Sequence, residues 1–145
     1  MKVSMKVDYG VRALVELAQR YGGGTVQTVE IAESQGIPEA YLDQLLATLQ
    51  KFGFIRSRRG PQGGHVLARA PHEISLGMVM ASLEGTAAPL DCMEEPTECT
   101  LSSICAQRDM WRSVEDAVQS VLSSTTIADL ANRQRQLQGQ GVYQV

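Results

Sequence analysis

At 145 residues the chain is long enough for one domain with a packed core plus an attached oligomerisation element. Its apolar runs are too short to span a bilayer, and "MKVSMKVDYG" lacks the apolar segment of a secretory leader, so membrane and exported classes are excluded and a cytoplasmic location is expected. The net charge of −3 conceals an asymmetry: residues 1–64 carry eight Lys/Arg against six Asp/Glu, whereas residues 65–145 carry five against ten. Between Asp43 and Glu73 there is no acid at all, while Lys51, Arg56, Arg58, Arg59 and Arg69 all fall there. Local field rather than net charge steers a polyanion to a surface, so this basic window is informative.

In chain order, "YGVRALVELAQRYGGG" places Val11, Leu14, Val15, Ala18 and Tyr21 at helical spacing, with Asp8 in an N-cap position and three glycines as the stop. "TVEIAESQG" predicts a short helix with Thr28 as cap and Gly36 as terminator. "IPEAYLDQLLATLQKFG" predicts a third, with Pro38 in its first turn, Tyr41, Leu45, Leu49 and Phe52 along one side, and Gly53 at its end. The period then changes. "FIRS" and "HVLA" read as short strands joined through "RRGPQGG", a hairpin tip. "ISLGMVMASLEG" predicts a helix capped by Ser75 and stopped at Gly85. An aperiodic segment with all three cysteines follows, then a long helix striped by Trp111, Val114, Val118, Val121 and Leu122. Thr126 caps a last short turn containing Ile127 and Leu130, and the Gln-rich stretch from Gln134 is expected to be mobile.

The expected fold is therefore mainly helical with a small β-hairpin: a winged helix-turn-helix followed by a long C-terminal helix. Its domains are expected as a DNA-binding unit at 1–85, a cysteine loop at 86–105, a dimerisation helix region at 106–131 and a mobile tail at 132–145. In such a fold the N-terminal turns of the second helix enter the major groove. Pro38, Glu39, Ala40, Tyr41, Asp43 and Gln44 occupy those turns; Gln44 can pair with adenine and Asp43 can accept from the cytosine amino group. Tyr41 suits a phosphate contact or a partly buried packing position equally. On the wing, Arg56, Arg58, Arg59 and Gln62 can reach backbone or minor groove, and Gly60, Gly63 and Gly64 allow close backbone approach. Thr28 and Lys51 complete the expected DNA-contact set. A solvated surface hairpin is the plain alternative for the arginines. The chain shows no nucleophile–base constellation and no phosphate loop between strand and helix, so an enzyme is not expected.

The cysteines are spaced Cys92, six residues, Cys99, five residues, Cys105. An unexported chain with three cysteines argues against a disulfide framework. Neither gap suits the short chelate of a structural zinc site, and wider loop-borne spacing is easier to reconcile with an iron–sulfur cluster. Reactive or inert thiols remain open on spacing alone.

"VRALVELA", "IAESQGIPEAYLDQLLATLQKFGFI", "SRRGPQGGHVLA" and the three-cysteine loop together resemble a family of bacterial winged-helix transcription factors. Its members include the iron–sulfur cluster regulator and the nitric-oxide-sensitive repressor (IscR/NsrR-type). The resemblance covers residues 1–131 and is most specific at "RGPQGG". It implies a homodimer on palindromic double-stranded DNA, acting as a repressor, with a [2Fe-2S] or [4Fe-4S] cluster held by Cys92, Cys99 and Cys105. The chain departs from the cluster regulators of that family: its first gap is one residue longer, and Arg108 stands where they carry a His ligand. Arginine cannot ligate at ordinary pH. By the same resemblance the fourth ligand falls to Asp8 of the partner protomer, against its plainer reading as a helix cap. His65 and His72 are weaker options. A metal-free thiol switch of the same fold, and a winged-helix module that docks protein, are the alternative functions.

Overall fold

The computed structural model describes residues 2–85, 93, 100, 101 and 103–143. Cys92 and Cys99, two of the three expected cluster ligands, lie outside the described residues.

Helix α1 (Met5–Gln19) packs against the helices Thr28–Gln35, Glu39–Lys51, Leu76–Glu84 and Ile127–Tyr143 and against the strand Gly64–Leu67. It starts a turn earlier than the spacing predicts. Ser4 is its cap, accepting from the Val7 N–H at 3.3 Å, because Val7 belongs to the core and draws the extra turn in. Asp8 is thus inside the helix and not its cap. The buried face is Val7, Gly10, Ala13, Leu14, Leu17 and Ala18, whereas Tyr21 lies past the helix end and is exposed. Gly10 leaves room for a neighbour from the helix Leu76–Glu84: a Cβ there would sit 2.8 Å from Leu83 Cδ1.

Helix α2 (Thr28–Gln35) is capped by Gln27, whose N–H donates to the Glu30 carboxylate at 2.9 Å, so Thr28 is the first helical residue and its hydroxyl is used elsewhere. Gly36 ends α2 in the left-handed region at φ 66°, and the chain turns directly into α3 (Glu39–Lys51) behind Pro38. Helix α3 buries Leu42, Leu45, Leu46 and Leu49; Phe52 stays outside and Phe54, beyond the Gly53 turn, fills the core instead.

Strands β1 (Ile55–Arg58) and β2 (Gly64–Leu67) pair antiparallel with Ile55 opposite Leu67 and Arg58 opposite Gly64. Val26, just ahead of α2, exchanges both backbone hydrogen bonds with His65 at 2.8 and 2.9 Å. The wing is thereby fastened to the start of the helix-turn-helix. A short 3-10 turn (Pro71–Glu73) leads to α4 (Leu76–Glu84), capped by Ser75 and stopped at Gly85 as expected.

Helix α5 (Ala106–Ser124) begins at Cys105 and buries none of its 19 residues. Met110, Val114 and Val121 are exposed despite the regular apolar stripe. Helix α6 (Ile127–Tyr143) opens on a reciprocal cap between Thr126 and Asp129, at 2.9 and 3.1 Å. The expected last short turn is instead the start of a longer helix. The Gln-rich stretch continues α6 to Tyr143 because Gln and Arg are good helix formers, and Ile127 and Ala131 anchor it in the core beside α1. Arg135 closes the contact by donating to the Gln19 carbonyl at 3.1 Å.

Candidate nucleic-acid interface

The first turns of α3 present Pro38, Glu39, Ala40, Asp43 and Gln44 to solvent, and Lys51 is exposed at its other end. Core leucines on the opposite side hold the helix in place, which is the arrangement a groove-reading helix requires. Tyr41 differs. It is half-buried with its ring edge-on to Tyr9, centroids 5.5 Å apart, so packing against α1 accounts for it.

On the wing Arg56, Arg58, Arg59, Gly60 and Gln62 are exposed, but Gly63 is not. A Cβ on Gly63 would lie 2.3 Å from the Arg58 carbonyl oxygen, and one on Gly64 2.7 Å from the Val26 oxygen. These two glycines serve closure of the hairpin and its attachment to α2, an intramolecular reason where the sequence suggests approach to DNA. Thr25 secures the same tip by donating to the Gln62 and Gly63 carbonyls. Arg58 shares a groove with Thr28 and Glu39, whereas Arg56 lines a second groove with Arg20 and Tyr21.

His65 sits at the junction of these parts. Its Nε2 is 2.9 Å from Thr28 Oγ1 and its Nδ1 2.7 Å from Ser57 Oγ. Burial pushes its pKa below the usual 6.5, against the opposing attraction of Asp43. With both nitrogens engaged, ligation by His65 would break an existing bond. His72 is exposed on the 3-10 turn.

Of the expected metal ligands, Cys105 is a free, half-buried thiol at the head of α5. Asp8 is held on α1 by Arg12, whose Nε donates to Oδ1 at 3.0 Å and whose third nitrogen donates to Oδ2 at 3.3 Å. Among the described residues no cluster of three His, Cys, Asp or Glu converges within one chain. The partner of Asp8 is the residue that sequence reasoning missed. Arg12 also donates to the Gln35 carbonyl at the end of α2 (3.2 Å) and lies over the Tyr9 ring at 5.6 Å. Its spacing of four from Asp8 on one helix was the available signal.

A helix-turn-helix with an exposed second helix and a basic two-stranded wing defines a winged-helix DNA-binding protein. Residues 3–133 match the family model Rrf2, described as an iron-dependent transcriptional regulator. The chain belongs to this family of transcriptional regulators, which are not enzymes. It is 37% identical over 132 residues to the HTH-type transcriptional regulator CymR of Bacillus subtilis, covering 91% of each chain. The solved structure of that global cysteine regulator superposes with a TM-score of 0.79 at 36% identity, over 92% of this chain and 98% of the other. The structure of T. potens IscR superposes with a TM-score of 0.77 at 38% identity, over 95% and 91%. An oxidized form of Staphylococcus aureus CymR gives 0.71 at 36% identity, over 90% and 96%. Among the described residues no helix is long and apolar enough to cross a membrane.

Proposed function

We propose that this regulator binds operator DNA as a homodimer and represses under control of an iron–sulfur cluster held by Cys92, Cys99, Cys105 and the partner's Asp8. The observation that carries the reading is the placement of Asp8. Its carboxylate is nearly half exposed, so a group brought by another protomer can reach it, yet it is wired through Arg12 to the turn ahead of α3. The donor set fits: three thiols suit iron–sulfur chemistry, and a carboxylate is a harder, more weakly held fourth ligand. A bound cluster would supply a centre that changes with oxidation, nitric oxide or loss of iron.

The remaining steps belong to the chain itself. When Asp8 turns to another cation, Arg12 loses its two-point partner and is free to move. Arg12 also touches the Gln35 carbonyl and Tyr9, and Tyr9 touches Tyr41 on α3. A change at Asp8 therefore reaches the reading helix through three contacts, Asp8 to Arg12, Arg12 to Tyr9 and Tyr9 to Tyr41. Allostery requires that the effector interact differently with two geometries of the dimer. Equal operator affinity of apo and holo protein would remove the cluster from control.

The homodimer is supported by two apolar surfaces left open in one chain. The α5 stripe is one. The other is a groove of about 690 Å3 lined by Val3, Val7, Val11, Val15, Leu130 and Leu137 among others. In this reading residues 1–85, completed by the packed part of α6, read DNA in the cytoplasm, residues 86–105 form the sensor loop and α5 pairs the protomers.

Contacts sort into two kinds. Arg59→Ala should weaken binding to most duplexes by about 1–3 kcal/mol and reduce the salt slope by about one. Gln44→Ala should chiefly relax base preference; binding-site selection with unchanged preference would strike Gln44 from the readers. A second reading keeps the DNA face and uses the cysteines as a thiol switch. Its support is the oxidized form known for S. aureus CymR and the free, half-buried Cys105 here. Colourless, iron-free protein from anaerobic purification would favour it.

A further inference from the structure

His65 stands where the wing crosses the start of α2. The paired backbone bonds with Val26 fix the strand there, so the position of the ring is set by main chain. Thr28, Arg58 and His65 line an open groove of about 370 Å3 between α2 and the wing. Neither ring nitrogen is spare, since Thr28 and Ser57 hydroxyls occupy both.

A neutral imidazole carries one N–H and one lone pair, so one of the two hydroxyls must give its hydrogen to the ring. A protonated imidazole donates from both nitrogens. Each hydroxyl then accepts from the ring and turns its own hydrogen outward. The change adds one O–H donor and one positive charge beside Arg58, which is the combination a phosphate oxygen selects.

We infer that His65 is a positioning residue for the DNA backbone, and that it takes up a proton when a phosphate docks in the groove between α2 and the wing. The inference rests on the reading that α3 and the wing face DNA. In the free protein burial keeps the ring neutral near pH 7. The charged groups around it are Asp43, then Glu39 and Arg58 in one groove and Arg20 and Arg56 in the other. Glu30 of α2 is engaged by Arg20. The arginines oppose protonation and the carboxylates favour it, and a docked phosphate adds to the favourable side.

The sign differs for the two equilibria. DNA affinity rises as pH falls, because the complex binds the additional proton. Stability of the free fold moves the other way. The folded pKa lies below the unfolded value, so this contribution is present above about pH 6.5 and is lost as pH falls through that value toward the folded pKa.

Anisotropy titrations of a mixed-sequence DNA duplex at constant ionic strength, between about pH 8 and about pH 6, test this for wild type and His65→Gln. Wild-type affinity should rise by up to about tenfold per pH unit within the window, and the variant should lose at least about threefold of that rise. Asp43 and Glu39 are common to both proteins and cancel. NMR titration of the His65 ring in the wild type is independent of how the variant folds. Its pKa should rise by about one unit on adding the duplex. Equal pH slopes in the two proteins, or a ring pKa unmoved by DNA, would overturn the inference while leaving the DNA face intact. Absence of duplex binding at any pH would overturn both.

Discussion

Glu16→Ala should lower the unfolding free energy by about 2 kcal/mol, measured as a shift of the urea midpoint. Among the described residues Glu16 is the one charged residue in the core, 4% exposed in the middle of α1. Its Oε2 accepts from Ser34 Oγ at 2.8 Å and Gln35 Nε2 at 2.9 Å, and its Oε1 pairs with Arg20 Nε at 3.1 Å. Alanine leaves all three donors without this acceptor and opens space between α1 and α2. Glu16 alone has left water; Arg20 and Ser34 are exposed and Gln35 is half-buried, so the cost is chiefly that of the charge-assisted hydrogen bonds lost and the space left behind. Glu16→Gln keeps the shape and an acceptor oxygen, and should lose only about 1 kcal/mol. Loss below about 1 kcal/mol in the alanine variant would show that water replaces the carboxylate easily. The same contacts fix the end of α2 next to Gly36, so the alanine variant should also bind DNA more weakly at temperatures where it remains folded.

Gly63→Ala should weaken binding to any duplex by roughly a hundredfold while leaving most of the fold's stability in place. The new Cβ would meet the Arg58 carbonyl oxygen at 2.3 Å, the Gly60 oxygen at 2.8 Å and the Arg59 carbonyl carbon at 2.9 Å. All three are backbone, so no side chain can swing aside and the tip must open. Opening breaks the Gly63 N–H bond to the Gly60 carbonyl and the ties from Thr25. Arg58 and Arg59 then lose their common placement, and two phosphate contacts vanish together. The slope of log affinity against log salt should fall by about 1.8. A salt series with unchanged slope would mean that the wing tip does not touch the phosphates.

Local chemistry made much of the fold legible. Gly36, Gly53 and Gly85 stop helices at positive φ, Ser75 and Thr126 cap them, and the hairpin falls between the residues that turn chemistry marks. Where two local signals competed, the core decided. Asp8 reads as the cap, and burial of Val7 moves the start of α1 a turn earlier to Ser4. Tyr21 and Phe52 match the helical period but lie at helix ends, past the reach of the core. Ile127 and Leu130 read as one short turn, yet helix propensity and docking of Ile127 and Ala131 on α1 extend α6. The site shows the same division. The exposed α3 residues and wing arginines are visible from pattern alone. The Glu16 network and the ring of His65 between two hydroxyls depend on which elements cross, which no local period encodes. Asp8 joined to the Gln35 carbonyl through Arg12 is also a tertiary fact.

The central claim is that three cysteines and the Asp8 carboxylate hold an iron–sulfur cluster that governs operator binding. An anaerobic absorption spectrum with iron and sulfide counts, taken for wild type and Asp8→Ala, tests it most directly. Coloured wild-type protein with iron and sulfide together, and an Asp8→Ala protein with an altered spectrum or a depleted cluster, is the expected result. Wild-type protein purified without oxygen that is colourless and free of iron would contradict it.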